Sequence, residues 1–149
     1  MGVIKSIKKF YNDKDKRGWN KGYFFFDIHG TILKSNYQYG NTPKEFYPYA
    51  KETLKFLSGL SDIVMCIYTC SHPHEIEEYL KLFASEGINF KYININPEVP
   101  TDINGYGCYD TKPYMNVLFE DKAGFDSETE WEEVLYFMKD KYGSGDPIM

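Results

Sequence analysis

Short apolar runs alternate along the chain with segments whose apolar residues recur at helical spacing. The runs are too short for helices and show little alternation of polar and apolar residues, which is typical of strands buried on both faces. The predicted strands cover residues 23–28, 63–68, 90–95 and 117–119. A loop rich in proline and glycine is predicted over residues 97–111.

Three segments that follow strands are predicted as helices because their apolar residues fall on one face. These faces consist of Ala50, Leu54 and Leu57; of Ile76, Tyr79, Leu80 and Phe83; and of Trp131, Val134, Leu135 and Met138. Gly59 and Gly87 are predicted to end the first two helices. Ser127 and Glu130 predict a capping box before the third. Alternating strands and helices predict an α/β fold, a three-layer Rossmann-like parallel sheet with helices on both faces.

The 149 residues divide into three predicted parts. Residues 1–21 carry six lysines and one arginine among apolar residues at helical spacing, and we interpret them as an N-terminal basic appendage. A helix docked on the core with its lysines in water is favoured over a site for a phosphate-rich partner. Residues 22–142 are predicted to form one folded domain, and residues 143–149 a flexible tail.

Charge and composition narrow the class of function. Seventeen basic and 22 acidic residues give a formal charge of -5, so no general attraction to nucleic acid or anionic membrane is expected. No apolar stretch approaches the ~20 residues that a membrane helix needs. Three cysteines, Cys66, Cys70 and Cys108, are too few for a disulfide framework. These features predict a cytoplasmic protein with no membrane partner.

Polar residues follow the predicted strands where a binding site is expected. Asp27 follows the first strand, Thr69 the second, and the pair Glu120 and Asp121 the fourth, while Lys112 precedes the fourth. Ligands of open parallel sheets bind at the carboxyl ends of the strands. A carboxylate nucleophile, a hydroxyl, an ammonium group and an acidic pair are typical of phosphoryl transfer with a hard divalent cation.

Four short motifs in this order resemble those of the haloacid dehalogenase superfamily. They are Phe26-Asp27-Ile28-His29-Gly30-Thr31, Ile67-Tyr68-Thr69, Lys112-Pro113, and Leu118-Phe119-Glu120-Asp121 with Asp126. The resemblance spans residues 23–138 and implies that residues 22–142 form a catalytic domain of that fold. It further implies a Mg²⁺-dependent phosphomonoester hydrolase that works through an aspartyl-phosphate intermediate on Asp27.

The resemblance implies a metal site as well as a nucleophile. The carboxylates of Asp27 and Asp121 and the backbone carbonyl of His29 would hold Mg²⁺, with Glu120 supporting through water. The alternative for Asp27 is a residue that only forms the turn before Gly30. The alternative interpretation of Glu120 and Asp121 is that they only form the turn that ends the fourth strand.

Four residues would contact the phosphate by the same resemblance. Thr69 and Lys112 would bind the transferring phosphoryl oxygens. Gly30 and Thr31 would let backbone amides approach the phosphate. A solvated loop lysine remains the alternative interpretation of Lys112.

His29 departs from the motif, because hydrolases of this superfamily usually have a second aspartate at that position. Imidazole can protonate a leaving oxygen and then activate water near neutral pH, so His29 is predicted as the acid and base. The competing hypothesis is a catalytically degenerate module that binds phosphate or metal for regulation. Retention of Asp27, Thr69, Lys112 and Asp121 favours the enzyme.

The chain leaves no room for a cap domain, since residues 32–62 and 70–111 are already filled by loops, helices and one strand. Capless relatives resemble enzymes with open sites, so the predicted partner is a phosphorylated small molecule, nucleic-acid end or phosphoprotein. Aromatic residues in these loops are interpreted either as a surface that stacks on a base or sugar, or as packing. They are Tyr37, Tyr39, Phe46, Tyr47, Tyr49, Tyr106 and Tyr109.

Overall fold

The computed structural model of the protein describes residues 2–35, 42–102, 105, 107–110 and 112–142. These residues form one sheet of four parallel strands with the order β3-β2-β1-β4. The strands are β1 (Gly22–Phe26), β2 (Ile63–Ile67), β3 (Tyr92–Ile93) and β4 (Val117–Phe119). The predicted parallel α/β fold is confirmed, and β3 is shorter than predicted.

Four α-helices surround the sheet in the described part of the chain. They are α1 (Gly2–Arg17), α2 (Ala50–Ser58), α3 (Pro73–Ser85) and α4 (Glu130–Lys141), and a 3-10 turn covers Asp121–Ala123. Pro73 begins α3, where a missing backbone donor costs nothing. None of the described helices combines the length and the apolar character that crossing a bilayer requires. The predicted tail, residues 143–149, lies outside the described residues.

The larger hydrophobic cluster fills one face of the sheet. Phe24 and Phe26 of β1 point into it, and each of the four helices contributes buried side chains. The residues of α1 in this cluster are Val3, Ile7, Phe10 and Tyr11. Most lysines of α1 are exposed, so this helix packs on the sheet with its charged face in water.

The opposite face of the sheet has a smaller cluster around Phe25 and Cys66. Its cover comes from the connection between β3 and β4, which supplies Val99, Tyr114 and Met115. None of the described helices contributes to this cluster, whereas the sequence predicted helices on both faces. Repeated prolines in the connection explain the difference, because proline lacks an amide donor and interrupts a helix.

Two residues fasten this connection to the sheet. One carboxylate oxygen of Glu98 accepts hydrogen bonds from Lys21 (2.7 Å) and Tyr23 (3.1 Å), and the other accepts from Lys91 (2.7 Å). These donors, the lysines foremost, lower the pKa of Glu98 to about 2. Asn116 exchanges two 2.8 Å hydrogen bonds with the backbone of Tyr23. Both ends of the connection are therefore tied to β1.

The predicted capping box of Ser127 and Glu130 is wrong. The side chain of Glu130 accepts from the amide of Asp126 (2.6 Å), and the Glu130 amide donates to the Asp126 carbonyl (2.8 Å). The Ser127 hydroxyl instead donates to the carbonyl of Gly30 at 2.6 Å. Ser127 thus joins the turn before α4 to the turn after β1, and Thr129, the residue before α4, makes no capping hydrogen bond with its side chain.

Candidate active site

Strand pairing brings three carboxylates to one edge of the sheet. Phe26 pairs with Phe119, and the amide of Asp27 donates to the Phe119 carbonyl at 3.0 Å. Asp27 and Glu120 therefore leave neighbouring strands side by side. Asp27, Glu120 and Asp121 each offer a carboxylate oxygen, and these three atoms lie within 4.8 Å of one another. The predicted acidic residues are thus brought together at the carboxyl ends of β1 and β4.

The Thr31 hydroxyl connects two of these carboxylates. Thr31 is fully buried, and its Oγ1 accepts from the amide of Asp121 at 3.0 Å. The same oxygen lies 3.4 Å from Oδ2 of Asp27 and 3.3 Å from Oδ1 of Asp121, so its single hydrogen is shared between them. Sequence reasoning missed this side-chain role, for which the only signal was a hydroxyl four residues after Asp27.

The turn after β1 uses the amides that were predicted to approach a phosphate. The Gly30 amide donates to the Leu33 carbonyl (2.9 Å) and the Thr31 amide to the Ile28 carbonyl (3.3 Å), so both donors are engaged within the turn, and their approach to a phosphate stays a prediction. Gly30 has φ +79°, and a Cβ there would lie 2.7 Å from Oδ2 of Asp121. Glycine is needed here both for the left-handed backbone and for the room it leaves.

The cluster is electrostatically unfavourable without a cation. The pKa of Asp27 is raised to about 6, chiefly by burial and also by the charges of Glu120 and Asp121, against the opposing hydrogen bonds from Ile28 and Thr31. Burial also raises the pKa of Glu120. The His29 carbonyl accepts no hydrogen bond from the described residues. An oxygen-only donor set of this kind fits a hard cation such as Mg²⁺.

The His29 side chain is directed towards helix α3. Its Nε2 forms a hydrogen bond with the hydroxyl of Tyr79, and the two rings meet nearly at right angles with centroids 5.3 Å apart. Burial raises the pKa of Tyr79 to about 12, so this phenol stays protonated near neutral pH. The helical pattern identified Tyr79 as an inward residue, but gave no indication that its hydroxyl would reach the turn after β1.

Thr69 lies in the turn after β2, next to β1. Its amide donates to Oδ1 of Asn94 (2.7 Å), and Nδ2 of Asn94 donates to the Thr69 carbonyl (2.8 Å). The amide of Ser71 donates to the Thr69 hydroxyl at 3.2 Å, and the two hydroxyls are 2.9 Å apart. Sequence reasoning missed both partners, since Asn94 fell inside the predicted third strand.

Lys112 and Asp126 are not part of the carboxylate cluster. Lys112 is exposed. Its predicted contact with the phosphoryl group therefore stays a prediction. Asp126 is exposed too, and its carboxylate accepts from the amide of Glu128 at 3.0 Å, as in an Asx turn.

Most of the aromatic loop residues that the structure describes are packed. Phe46 and Tyr47 lie partly buried against the main cluster, and Tyr109 makes an edge-to-face contact with Tyr114. Tyr49 is more exposed, with 38% of its surface accessible. The remaining members, Tyr37, Tyr39 and Tyr106, lie outside the described residues.

Strand order, parallel register and a polar edge at the strand ends define an α/β protein of the Rossmann-like class. Among solved structures, the chain is similar to a conserved protein from Bacteroides thetaiotaomicron, with a TM-score of 0.59 and 20% sequence identity. The match covers 87% of this chain and 99% of the other. A likeness at this identity shows the fold alone. No protein-family profile and no curated protein matches the chain.

Proposed function

We propose that the protein is a Mg²⁺-dependent phosphomonoester hydrolase related to the haloacid dehalogenase superfamily, with Asp27 as nucleophile. The observation that carries the proposal is the cluster of Asp27, Glu120 and Asp121 at adjacent strand ends. Three carboxylates this close, two of them partly buried, are costly unless a cation or a proton compensates them. They lie at the carboxyl edge of a parallel sheet, which is where such folds bind ligands.

The proposed metal ligands are the carboxylates of Asp27 and Asp121 and the carbonyl of His29, with Glu120 acting through water. When bound, Mg²⁺ would supply positive charge that offsets the carboxylates and the phosphoryl oxygens. Gly30 keeps the space beside Asp121 open, and the Thr31 hydroxyl holds Asp27 and Asp121 in place.

The proposed reaction has two displacements at phosphorus. Thr31 contacts one carboxylate oxygen of Asp27, and the other oxygen attacks phosphorus while the bond to the leaving oxygen breaks. The leaving oxygen takes a proton and departs as an alcohol. Water then attacks the phosphorus of the aspartyl-phosphate, which releases inorganic phosphate and restores the Asp27 carboxylate.

Two further groups are proposed to assist these steps. The Tyr79 hydroxyl occupies Nε2 of His29, so Nδ1 would give a proton to the leaving oxygen and take one from water. The Thr69 hydroxyl accepts from the Ser71 amide, and it is proposed to accept from the Ser71 hydroxyl as well and to donate its own hydrogen to a phosphoryl oxygen. Lys112 is proposed to contact another phosphoryl oxygen. The substrate class stays a phosphorylated small molecule, nucleic-acid end or phosphoprotein.

The test compares hydrolysis of 4-nitrophenyl phosphate by the wild type, Asp27→Asn and Asp126→Asn, with Mg²⁺ and with a chelator. Asp126→Asn is the matched control, because Asp126 belongs to the same acidic motif but lies outside the cluster. We expect Mg²⁺-dependent turnover and a trapped phosphoenzyme in the wild type and in the control. Loss of the nucleophile should lower turnover by at least ~10³-fold. Undiminished turnover by Asp27→Asn would remove Asp27 from the mechanism.

A second candidate function is a binding module without turnover. The contact between His29 and Tyr79 favours it, because one ring nitrogen of the proposed acid and base is already occupied. This candidate predicts Mg²⁺ and phosphate binding by the wild type without hydrolysis, across phosphorylated metabolites, nucleotides and phosphopeptides.

A further inference from the structure

Asn94 extends the pairing of β2 and β3 beyond the end of β3. Its backbone amide donates to the Ile67 carbonyl at 2.7 Å, as a strand residue would. Its side chain then accepts from the Thr69 amide and donates to the Thr69 carbonyl, at 2.7 and 2.8 Å. The side-chain amide of Asn94 thus takes the place of a backbone partner for Thr69.

The backbone of Asn94 is in the left-handed region, with φ +60°. Asparagine enters this region more readily than other residues with a side chain, and glycine enters it freely. The next residue, Ile95, is 57% exposed, so the chain leaves the sheet while the Asn94 side chain remains against β2. The left-handed backbone and the two side-chain hydrogen bonds together favour asparagine over other residues at this position.

The consequence for Thr69 is a fixed backbone and an oriented hydroxyl. Asn94 holds the backbone of Thr69 on both its donor and its acceptor, and the Ser71 amide occupies one lone pair of the hydroxyl. The Tyr68 amide donates to the Phe26 carbonyl at 2.9 Å, so β1 and β2 stay paired up to the residue before Asp27. Thr69 is thereby held at the edge where Asp27 lies.

We infer that Asn94 is a positioning residue for phosphate recognition, which sets the Thr69 hydroxyl towards a phosphoryl group bound beside Asp27. The inference rests on the proposed function, since it requires a phosphoryl group at this edge of the sheet. Asn94 itself need not touch the substrate. It acts through two hydrogen bonds to the backbone of Thr69.

Two substitutions separate the side chain from the backbone conformation. Asn94→Gly keeps the left-handed conformation accessible and removes both hydrogen bonds. Asn94→Asp keeps an acceptor for the Thr69 amide and loses the donor to the Thr69 carbonyl. Asn89→Gly is the matched control, because Asn89 is exposed before β3 and only its backbone amide has a hydrogen bond among the described residues.

The experiment measures binding of inorganic phosphate in saturating Mg²⁺ by calorimetry, together with hydrogen exchange of the Thr69 amide. We expect Asn94→Gly to weaken phosphate binding about tenfold, as loss of one oriented hydrogen bond predicts. Exchange of the Thr69 amide should accelerate in the same variant. Asn94→Asp should be intermediate and Asn89→Gly unchanged. The Mg²⁺-dependent rise in Tm should persist in all three, because the carboxylates lie on other strands.

The wild type could bind phosphate in a manner that depends on Asn94 and yet show no turnover. That result would reject hydrolysis and support the positioning role. Equal phosphate affinity of wild type and Asn94→Gly, despite faster exchange at Thr69, would overturn the inference. Absence of phosphate binding by the wild type would overturn it as well.

Discussion

The hydroxyl of Tyr79, on the inner face of α3, is hydrogen-bonded to Nε2 of His29 in the turn after β1. Only 1% of the Tyr79 surface is accessible, so this contact fixes the imidazole from the core side. A residue of α3, fifty positions away in sequence, therefore determines which ring nitrogen of His29 is already hydrogen-bonded.

Tyr79→Phe tests this relationship, because it retains the ring and removes the hydroxyl. If Nδ1 of His29 transfers the proton, we expect turnover to fall about tenfold, since the imidazole loses its oriented partner. Steady-state turnover of an aryl phosphate is the measurement. Tyr136→Phe serves as the control, since Tyr136 is 55% exposed on α4.

The same hypothesis predicts coupling between the two residues. His29→Ala should lower turnover by ~10²–10⁴-fold and leave Mg²⁺ affinity near that of the wild type, because the metal contact is a backbone carbonyl. His29→Asp should remain active. Adding Tyr79→Phe to His29→Ala should have no further effect. If Tyr79→Phe lowered turnover by the same factor in His29→Ala as in the wild type, Tyr79 would act on stability alone and not through His29.

Asp27 should make the metal-free protein less stable as the pH rises. Its pKa is raised from 3.8 to about 6, so folding favours the protonated form. That contribution is complete below pH 4 and is lost as the pH rises through 6. In a chelator at pH 7.5, Asp27→Asn should therefore be more stable by about 1–2 kcal/mol, after allowance for partial exposure, which corresponds to roughly 2–6 °C in Tm.

Thermal unfolding in EDTA and in Mg²⁺ measures this effect. Mg²⁺ should raise the Tm of the wild type and of Asp126→Asn more than that of Asp27→Asn. Identical Tm values for wild type and Asp27→Asn in EDTA at pH 7.5 would contradict the unfavourable cluster.

Gly30→Ala should damage the cluster as well as the turn. Alanine at φ +79° is strained, and its Cβ would lie 2.7 Å from Oδ2 of Asp121. We expect a loss of about 1–3 kcal/mol in unfolding free energy and a smaller Mg²⁺-dependent rise in Tm. Gly18→Ala is the matched control, since Gly18 has φ +70° and nothing within 4 Å of an added Cβ. A Mg²⁺ response that is the same in both variants would argue against Asp121 as a ligand.

Glu98→Gln should destabilise the connection between β3 and β4. Its hydrogen bonds, chiefly from Lys21 and Lys91, lower the pKa of Glu98 to about 2, so their stabilisation is present above the ordinary carboxyl pKa and lost as the pH falls towards 2. We expect a loss of about 1–3 kcal/mol at pH 7. Urea unfolding at pH 7 and at pH 3 should show a smaller difference at the lower pH. Glu45→Gln, at an exposed pair with Lys34, should cost less, because water screens the pair.

The sequence predicted the strands and the meeting of Asp27 with Glu120 and Asp121 because both follow from local pattern. Apolar runs locate the strands, and parallel pairing then brings residues after each strand to one edge. The side-chain partners could not be predicted in the same way. Contacts of Tyr79 with His29, or of Asn94 with Thr69, depend on how elements 25 to 50 residues apart are placed in space.

The prediction of helices on both faces of the sheet had a similar limit. Periodicity identifies a helix where one exists, but it does not indicate that an irregular segment will bury the second face of a sheet. Phe25 and Cys66 are covered by residues such as Val99 and Tyr114, which follow no repeat.

The fastening of that connection at Glu98 and Asn116, both on Tyr23, has a consequence for how the protein can change in evolution. The chain between these two points closes a loop whose ends are already fixed to β1. Lengthening such a loop costs little, about 0.6 kcal/mol for each doubling. New sequence can therefore be inserted between these two points while the strands and the carboxylate cluster keep their places.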